Sequence, residues 1–287
     1  MSIYPNGHAL VETDWLQENL GAPGVKILDG TWFLPTNPRD QFKEYEEQHI
    51  PGAMHFDIDT VCDQETTLPH MIPTDDLFAE KVGAMGIGNE DHVIVYDSVG
   101  GFSAAMRVWW TFRLFGHEKV SVLNGGLPKW LVENRPMESG PANPTPTTFT
   151  AAPPDMGMVR SADQVAKNIL SAAETFVDAR SPGRFAGTEP EPRPSPRRGR
   201  VPGSVNLPFG KLIDMSGSFT VKDAGQIRAA FEEAGLQLDQ PMIASCGTGV
   251  TACVPTFAAF LLGYDRVAVY DGSWAEWGSD PNRPVED

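Results

Sequence analysis

The feature that most constrains this chain of 287 residues is an internal repeat. Five short motifs of the first half recur in the same order in the second half, always at an offset of 147 to 151 residues. A nearly constant offset across several motifs indicates one fold built twice. The motif pairs are residues 27–29 with 176–178, 50–53 with 201–204, 95–97 with 244–246, 120–126 with 267–273, and Trp130 with Trp277.

Within each half, short apolar runs alternate with segments of helical pattern, such as residues 74–84 and 222–234. This alternation is typical of a parallel sheet with helices on both faces, in which ligands bind at the carboxyl ends of the strands. The sequence therefore predicts the α/β class, with two tandem domains that are each an open parallel sheet covered by helices.

A proline-rich stretch marks the joint between the halves. Residues 139–146 and the pair Pro153-Pro154 are too rich in proline for a helix or a central strand, so we expect an extended surface linker. The predicted organisation is a first domain over residues 1–140, a linker over 141–158 and a second domain over 159–287.

Charge and cysteine usage restrict the partners. The formal net charge of -16 disfavours binding to nucleic acids and anionic membranes. We see no basic, apolar leader pattern and no segment that could span a membrane, and three cysteines in so long a chain suit a reducing compartment. We expect a cytoplasmic protein.

Cys246 is the candidate nucleophile of the second half. It lies between an apolar strand pattern over residues 241–245 and a helical pattern over 250–262. Gly247 and Gly249 allow backbone N–H groups to converge on one point in front of a helix N-terminus, which favours a thiolate. The alternative is a buried cysteine that only packs. Glycines directly after the cysteine argue against that alternative.

The other cysteines and the equivalent position of the first half are expected to be structural. Cys62 and Cys253 are interpreted as packing residues. Asp97 occupies the place of Cys246 in the first half and cannot carry a sulfur atom. We therefore predict a non-catalytic first domain and a site in the cleft between the domains.

An arginine-rich segment runs from residue 180 to residue 200, with six arginines against two glutamates. We expect Arg184 and Arg193 to bind a small anion, a task suited to guanidinium groups. The alternative for both is an ion pair with the glutamates of the same segment. Arg197 and Arg198 are expected to be solvated.

Four segments together make the chain resemble the two-domain rhodanese-type sulfurtransferases: residues 107–110, 183–193, 246–253 and 270–277. The resemblance extends over nearly the whole chain. It implies two tandem rhodanese-like domains and a loop cysteine that takes up sulfur as a persulfide. The sulfur then passes to a thiol acceptor, such as a thioredoxin-like protein, or to cyanide, with no metal or organic cofactor.

The residues after the cysteine bear on the sulfur donor. Family members that prefer thiosulfate carry bulky cations there, whereas those that prefer 3-mercaptopyruvate carry glycine and a small hydroxyl residue. Gly247 and Thr248 therefore imply 3-mercaptopyruvate as the donor and pyruvate as the product, although threonine replaces the commoner serine. Thiosulfate remains the alternative donor.

The resemblance also implies residue roles. Arg184 and Arg193 would hold the carboxylate and keto oxygen of the donor. Thr248 would act in proton transfer with His70 and Asp59, while a purely structural role for His70 stays open. The loop residues whose backbone would stabilise the persulfide are Gly247, Gly249, Val250 and Thr251.

Two activities of other classes can be compared with this one. A cysteine-dependent phosphatase needs an arginine six residues after the cysteine, and Ala252 occupies that position. A non-catalytic sulfur carrier or interaction module does not need the glycine loop or the anion-binding arginines. Both fit the sequence less well than a sulfurtransferase.

Overall fold

The computed structural model describes residues 4–102 and 104–287. In this part of the chain each half contributes five strands. Those of the first half are β1 (Leu10–Val11), β2 (Val25–Asp29), β3 (Ala53–His55), β4 (His92–Tyr96) and β5 (Val120–Leu123). Those of the second half are β6 (Val159–Arg160), β7 (Thr175–Asp178), β8 (Val205–Asn206), β9 (Met242–Ser245) and β10 (Val267–Tyr270).

The two sheets have the same topology. Their strand orders are β1-β5-β4-β2-β3 and β6-β10-β9-β7-β8, and every neighbouring pair is parallel. Equivalent strands therefore occupy equivalent places, which is what a constant offset in the sequence predicts. The predicted α/β fold of two tandem parallel sheets is confirmed.

Helices connect the strands of both halves. The helices of the described residues are α1 (Thr13–Glu18), α2 (Gln41–Glu47), α3 (Asp75–Ala84), α4 (Ala105–Leu114), α5 (Gly126–Val132), α6 (Ala162–Ser171), α7 (Pro182–Phe185), α8 (Ala224–Glu233), α9 (Cys253–Leu261) and α10 (Ser273–Trp277). No helix in this part of the chain has the length and apolarity needed to cross a bilayer.

Local sequence explains where several of these helices begin. The side chain of Thr74 accepts from the backbone of Leu77 at the start of α3, and Asp223 forms a capping box with Gln226 at the start of α8. The helix predicted over residues 250–262 begins only at Cys253, because the preceding residues form the turn that follows β9.

The two halves meet through α4 and α9. Trp109 of α4 is 1% exposed, and its ring centroid lies 4.8 Å from that of Phe257 and 5.1 Å from that of Phe260 on α9. Arg113 rests on the Phe260 ring at 4.2 Å. Since α4 follows β4 and α9 follows β9, this contact brings the carboxyl ends of both central strands to the interface.

The proline-rich segment between the halves is more closely attached than the sequence predicts. It has no helix or strand from residue 141 to residue 155. Phe149, however, is buried against Phe78, and the amide of Thr147 donates to the carbonyl of Gly83 at 2.9 Å. The segment thus runs extended along the first half with an aromatic anchor in its core.

Candidate active site

Cys246 follows the last residue of β9 and is 2% exposed. Its backbone N–H donates to the hydroxyl of Ser273 at 3.1 Å, and its carbonyl accepts from the amide of Trp274 at 3.1 Å. The carbonyl of Gly247 accepts from Ala275 at 2.8 Å. The beginning of α10 therefore fixes Cys246 and the start of its loop.

Glycine is required at two positions of the loop for different structural reasons. Gly249 has φ +77°, and a Cβ there would lie 2.7 Å from the carbonyl oxygen of Asp271. A Cβ on Gly247 would lie 2.8 Å from Nη2 of Arg184. Gly249 thus permits the turn, whereas Gly247 permits a guanidinium group to approach the backbone beside the cysteine.

A cleft of about 710 Å³ opens above Cys246 and is lined by both halves of the chain. The first half contributes mainly aromatic and aliphatic side chains, and the second half contributes the arginines and the loop. Among the lining residues are Trp32, Phe33, Leu68, Phe102, Arg184, Arg193, Phe209, Cys246, Gly247, Thr248, Val250 and Thr251.

Arg184 belongs to a buried network of ion pairs. Its Nε donates to Oε2 of Glu191 at 3.1 Å, and its Nη2 binds the same oxygen. The other oxygen of Glu191 accepts from Arg180 at 2.7 Å, and Arg180 also makes a two-pronged contact with Asp178. Burial lowers the pKa of Arg180, but Asp178 and Glu191 outweigh it and raise the pKa. The ion pair that the sequence left open for Arg184 therefore exists.

Arg193 is less committed to protein partners. Its Nη2 lies 3.4 Å from Nε2 of His70, and its guanidinium lies 5.7 Å from the centroid of the Trp32 ring. Its buried Nε–H has no acceptor among the residues that the structure describes. Donors in a cleft wall without a protein acceptor can bind an anionic ligand.

His70 and Asp59 lie next to Arg193. Nδ1 of the buried His70 is 3.0 Å from Oδ1 of Asp59, while the indole N–H of Trp32 donates to Oδ2 of Asp59 at 2.9 Å. Burial raises the pKa of Asp59, but the hydrogen bond and charge of His70 outweigh it, so the pKa lies below its usual value. The structure thus brings Asp59, His70 and Arg193 together, with Thr248 in the neighbouring cleft wall.

The remaining cysteines are buried. Cys253 is 0% exposed in α9, and burial raises the pKa of its thiol to about 12. The thiol of Cys62 contacts the carbonyl of Asp59 at 3.2 Å, and burial together with the charge of Asp59 raises its pKa as well. Thiols that stay protonated are poor nucleophiles.

The position equivalent to Cys246 in the first half is filled by an acid. The carboxyl oxygens of Asp97 accept from the backbone N–H groups of Val99 at 3.0 Å, Gly101 at 2.7 Å, Ala104 at 3.2 Å and Ala105 at 3.1 Å. Burial raises the pKa of Asp97, and these donors counteract part of the effect. The loop after β4 therefore directs its N–H groups at the side chain of its first residue.

Arg107 and Asp271 form a contact that the sequence analysis missed. Arg107 projects from α4 of the first half, and its Nη1 lies 2.7 Å from Oδ1 of Asp271, which follows β10. Sequence indicates only that a charged residue interrupts the otherwise apolar segment 105–110. The contact itself depends on the packing of the two halves.

The expectation that Arg197 is solvated is wrong. Its guanidinium is partly buried and donates to the backbone carbonyls of Trp277, Gly278, Asp280 and Arg283. These carbonyls lie at and beyond the C-terminal end of α10, where they lack helical partners. Arg198 is exposed, as expected.

Comparison with known proteins identifies the family. The model of the rhodanese-like domain matches twice, at residues 12–133 and 161–280. The chain belongs to the rhodanese family.

Individual relatives cover most of the chain. It is 43% identical to human 3-mercaptopyruvate sulfurtransferase, over 94% of this chain and 91% of the relative. It is 42% identical to the mitochondrial thiosulfate/3-mercaptopyruvate sulfurtransferase 1 of Arabidopsis thaliana, over 96% and 78%. The crystal structure of the 3-mercaptopyruvate sulfotransferase SseA from Escherichia coli aligns with a TM-score of 0.84 and 35% identity, over 93% of this chain and 98% of that one.

Proposed function

We propose that the protein is a sulfurtransferase that takes sulfur from 3-mercaptopyruvate onto Cys246, releases pyruvate, and passes the sulfur to a thiol or to cyanide. The observation that carries this proposal is the position of Cys246 at a cleft that also presents Arg184 and Arg193. Relatives with this activity in their names align with nearly the whole chain.

In the first half-reaction, the Cys246 thiolate attacks the thiol sulfur of the donor. A sulfur–sulfur bond forms and the carbon–sulfur bond breaks, so that its electron pair leaves on carbon as the enolate of pyruvate. The enolate then takes up one proton, which balances the proton that the donor thiol group loses as the outer sulfur becomes anionic. Arg193, whose Nε–H has no acceptor among the described residues, and Arg184 hold the carboxylate and keto oxygen and keep the donor oriented for attack.

The resulting persulfide is anionic and sits where the loop directs its backbone N–H groups. Asp97 supports this assignment, since its carboxyl oxygens occupy the equivalent place and accept from the equivalent loop. Gly247, Gly249, Val250 and Thr251 supply the corresponding backbone of the second half. Preorganised N–H groups stabilise such an anion without reorganisation.

Thr248, His70 and Asp59 are proposed to deliver the proton to the enolate. Nδ1 of His70 lies 3.0 Å from Oδ1 of Asp59, and Nε2 lies 3.4 Å from Nη2 of Arg193. When Arg193 turns to the donor carboxylate, it releases Nε2 of His70. The Thr248 hydroxyl would then connect this nitrogen to the cleft.

The loop favours 3-mercaptopyruvate over thiosulfate. A side chain at position 247 would require the guanidinium of Arg184, which binds Glu191, to move. A bulky cationic side chain next to Cys246 is therefore incompatible with the present position of Arg184. Identity alone does not separate the donors, because a relative at 42% identity is named for both.

In the second half-reaction, an acceptor thiolate attacks the outer sulfur and restores the Cys246 thiolate. We propose that the acceptor is a small thiol or the cysteine of a thioredoxin-like protein and that it reaches Cys246 through the same cleft. We infer that residues 159–287 form the catalytic domain that carries the nucleophile and the anion-binding arginines, that residues 1–140 form a supporting domain without a nucleophile that contributes His70 and Asp59, and that residues 141–158 form the linker. We also infer a cytoplasmic location from the cysteine usage, and cell fractionation tests it.

Parallel steady-state kinetics with 3-mercaptopyruvate and thiosulfate, with cyanide as the common acceptor, test the proposal. We expect the higher kcat/KM with 3-mercaptopyruvate. A variant with both Gly247→Arg and Thr248→Lys should displace Arg184 and move the preference towards thiosulfate. A higher kcat/KM with thiosulfate for the unaltered enzyme would contradict the proposed donor. No turnover with either donor would favour a sulfur carrier.

A further inference from the structure

A second pocket, of about 440 Å³, opens in the first half at the carboxyl ends of β2 and β4. Asp29 at the end of β2, Ser98 just after β4 and Leu127 of α5 are among the residues that line it. None of its lining residues belongs to the cleft above Cys246. This first-half pocket therefore has the size of a small-ligand site and is separate from the candidate active site.

In the second half, the side chain of Arg180 occupies the corresponding place. Arg180 is 1% exposed, and its Nη2 lies 2.7 Å from Oδ2 of Asp178. The same nitrogen donates to the carbonyl of Gly199 at 2.8 Å, and the guanidinium lies 4.5 Å from the centroid of the Trp274 ring. A buried carboxylate, a backbone carbonyl and an aromatic ring thus surround one guanidinium group.

The repeat gives each of these residues a counterpart in the first half, within the offset of 147 to 151 residues. Thr31 stands at the position of Arg180. The counterparts of the three contact partners are Asp29 for Asp178, Gln48 for Gly199 and Leu127 for Trp274. All four counterparts line the first-half pocket. The pocket therefore lies where the second half holds a guanidinium group, and the short side chain at position 31 leaves that place open.

The carboxyl group of the pocket is buried without a cation. Asp29 is 2% exposed, and its Oδ1 accepts from the amide of Thr31 at 2.8 Å. No lysine or arginine of the residues that the structure describes forms an ion pair with it. Burial raises the pKa of Asp29, and Thr31, His55 and Tyr96 counteract only part of this effect. A cation that entered the pocket would therefore find a carboxyl group that its surroundings do not neutralise.

The rest of the wall suits a cation on an aliphatic chain. Glu44 and Glu47 of α2 line the pocket and add two carboxyl groups. Among the described lining residues the one arginine is Arg39, whose Nε donates to Oε1 of Glu44 at 2.7 Å. Leu127 and Leu131 supply apolar surface. The wall thus combines a net negative charge with an apolar side.

We propose that the first-half pocket binds an alkylguanidinium ligand, whose planar group pairs with Asp29 as Arg180 pairs with Asp178. The alkyl chain lies along Leu127 and Leu131. Guanidinium is favoured over ammonium because it can donate two parallel hydrogen bonds to one carboxylate. A free small molecule and an arginine side chain of a partner protein present this same chemistry. The proposal goes beyond sulfur transfer and does not depend on it.

The test is a titration of ¹⁵N-labelled protein with butylguanidinium, followed by NMR. The amide signals of Thr31 and Ser98 should move, with a dissociation constant on the order of 1 mM for a ligand of this size. Butylurea has the same shape without the charge and should bind about tenfold or more weakly, the scale of one charge-assisted hydrogen bond. Equal affinity for the two compounds, or shifts confined to the loop of Gly247, would overturn the proposal.

Two variants remove the site in different ways. Asp29→Asn should weaken binding of butylguanidinium about tenfold or more, because it removes the charge that the ligand pairs with. Thr31→Arg places a guanidinium group of the chain itself in the pocket and should abolish binding. Thr148→Arg is the matched control, since it adds the same charge at an exposed threonine and should leave the dissociation constant unchanged.

Circular dichroism should report the folding of each variant. Unchanged binding in a folded Thr31→Arg or Asp29→Asn protein would refute the site. If neither variant folds, the comparison of butylguanidinium with butylurea on the unaltered protein still decides. Sulfur transfer per folded molecule should be nearly unchanged in Asp29→Asn, so a failure of this proposal and a failure of the proposed function are separate results.

A capped tripeptide with arginine between two glycines distinguishes the two sources of the ligand. Binding as tight as that of butylguanidinium supports the site and assigns it to an arginine of a partner protein. Binding of butylguanidinium alone supports the site and assigns it to a free small molecule. Binding of neither compound overturns the proposal.

Discussion

The loops after β4 and β9 have the same place in the fold and different contents. The first surrounds its own carboxyl group, Asp97, which is 0% exposed and receives backbone hydrogen bonds. The second begins with Cys246 below a cleft and with guanidinium groups beside it. The first loop thus accommodates an acidic group by directing backbone N–H groups at it. Sulfur transfer requires in addition a side chain that can take up a sulfur atom and release it.

The surroundings of the loops differ in the same sense. A Cβ on Gly100 would collide with the Cβ of Phe219, so the second half closes directly over the first loop. At the second loop the equivalent residue is His70, which contacts Asp59 and Arg193 in place of an apolar surface. The first loop is thus closed by packing and the second is bordered by polar groups.

Removing the nucleophile should have the largest effect. Cys246→Ser should reduce sulfur transfer on the order of 10⁴-fold or more, because a serine hydroxyl neither ionises near neutral pH nor carries sulfane sulfur. Thermal unfolding should be nearly unchanged. After treatment of the unaltered enzyme with donor, mass spectrometry should find one added sulfur on Cys246, and finding it on Cys62 or Cys253 would refute the assignment.

Replacing a guanidinium group near the second loop should reduce activity by a smaller factor. Arg193→Gln should lower kcat/KM for 3-mercaptopyruvate about ten- to a hundredfold, the loss of a charge-assisted hydrogen bond worth about 1.5–3 kcal/mol. Arg184→Gln should lower kcat/KM less, because the Arg184 guanidinium is already paired with Glu191. The exposed Arg198→Gln is the control. Equal kinetics of the Arg193 and Arg198 variants would remove Arg193 from the site.

Replacing the acid of the first loop should affect stability instead of activity. Asp97→Asn leaves backbone donors without an acceptor and should lower the free energy of unfolding by about 1–3 kcal/mol in urea titration. The exposed Asp76→Asn should change it little, and kcat per folded molecule should stay within about twofold of the unaltered value. A loss of activity at full stability would contradict a merely supporting first loop.

The sign of the pH dependence sharpens this comparison. Burial raises the pKa of Asp97. The stability that this shift contributes is therefore complete below the ordinary carboxyl value of about 4, and it is lost as pH rises through the raised pKa. The amide of the Asp97→Asn variant does not titrate. The stability difference between the two proteins should therefore narrow over that range, whereas a widening difference would show that the carboxyl is held in its charged form.

Much of this fold is readable from the sequence because its signals are local or periodic. The repeat offset predicts two copies of one sheet, and apolar runs that end at Asp97 and Cys246 predict where β4 and β9 stop. The starts of α4 and α9 are less predictable. Residues such as Val250 have helical pattern but are used in the turn, whose course depends on the contacts of Gly249 with Asp271.

Contacts across the repeat lie beyond such signals. The ion pair of Arg107 with Asp271 joins residues far apart in the chain and exists because α4 packs on α9. The burial of Phe149 and the hydrogen bonds of Arg197 to the end of α10 likewise arise from tertiary packing. Sequence identifies the arginines of the site, but which of them is already paired with Glu191 is visible only in three dimensions.

His70 and Phe219 each lie at the loop of the opposite half, so turnover depends on contact between the two halves. Separating the halves would remove Arg107 and His70 from the Cys246 loop and Phe219 from the Asp97 loop in one event. The anchored segment around Phe149 keeps that event intramolecular, so re-docking does not depend on protein concentration. The half that carries Asp97 in place of a cysteine is therefore permanently joined to the other half by the chain itself.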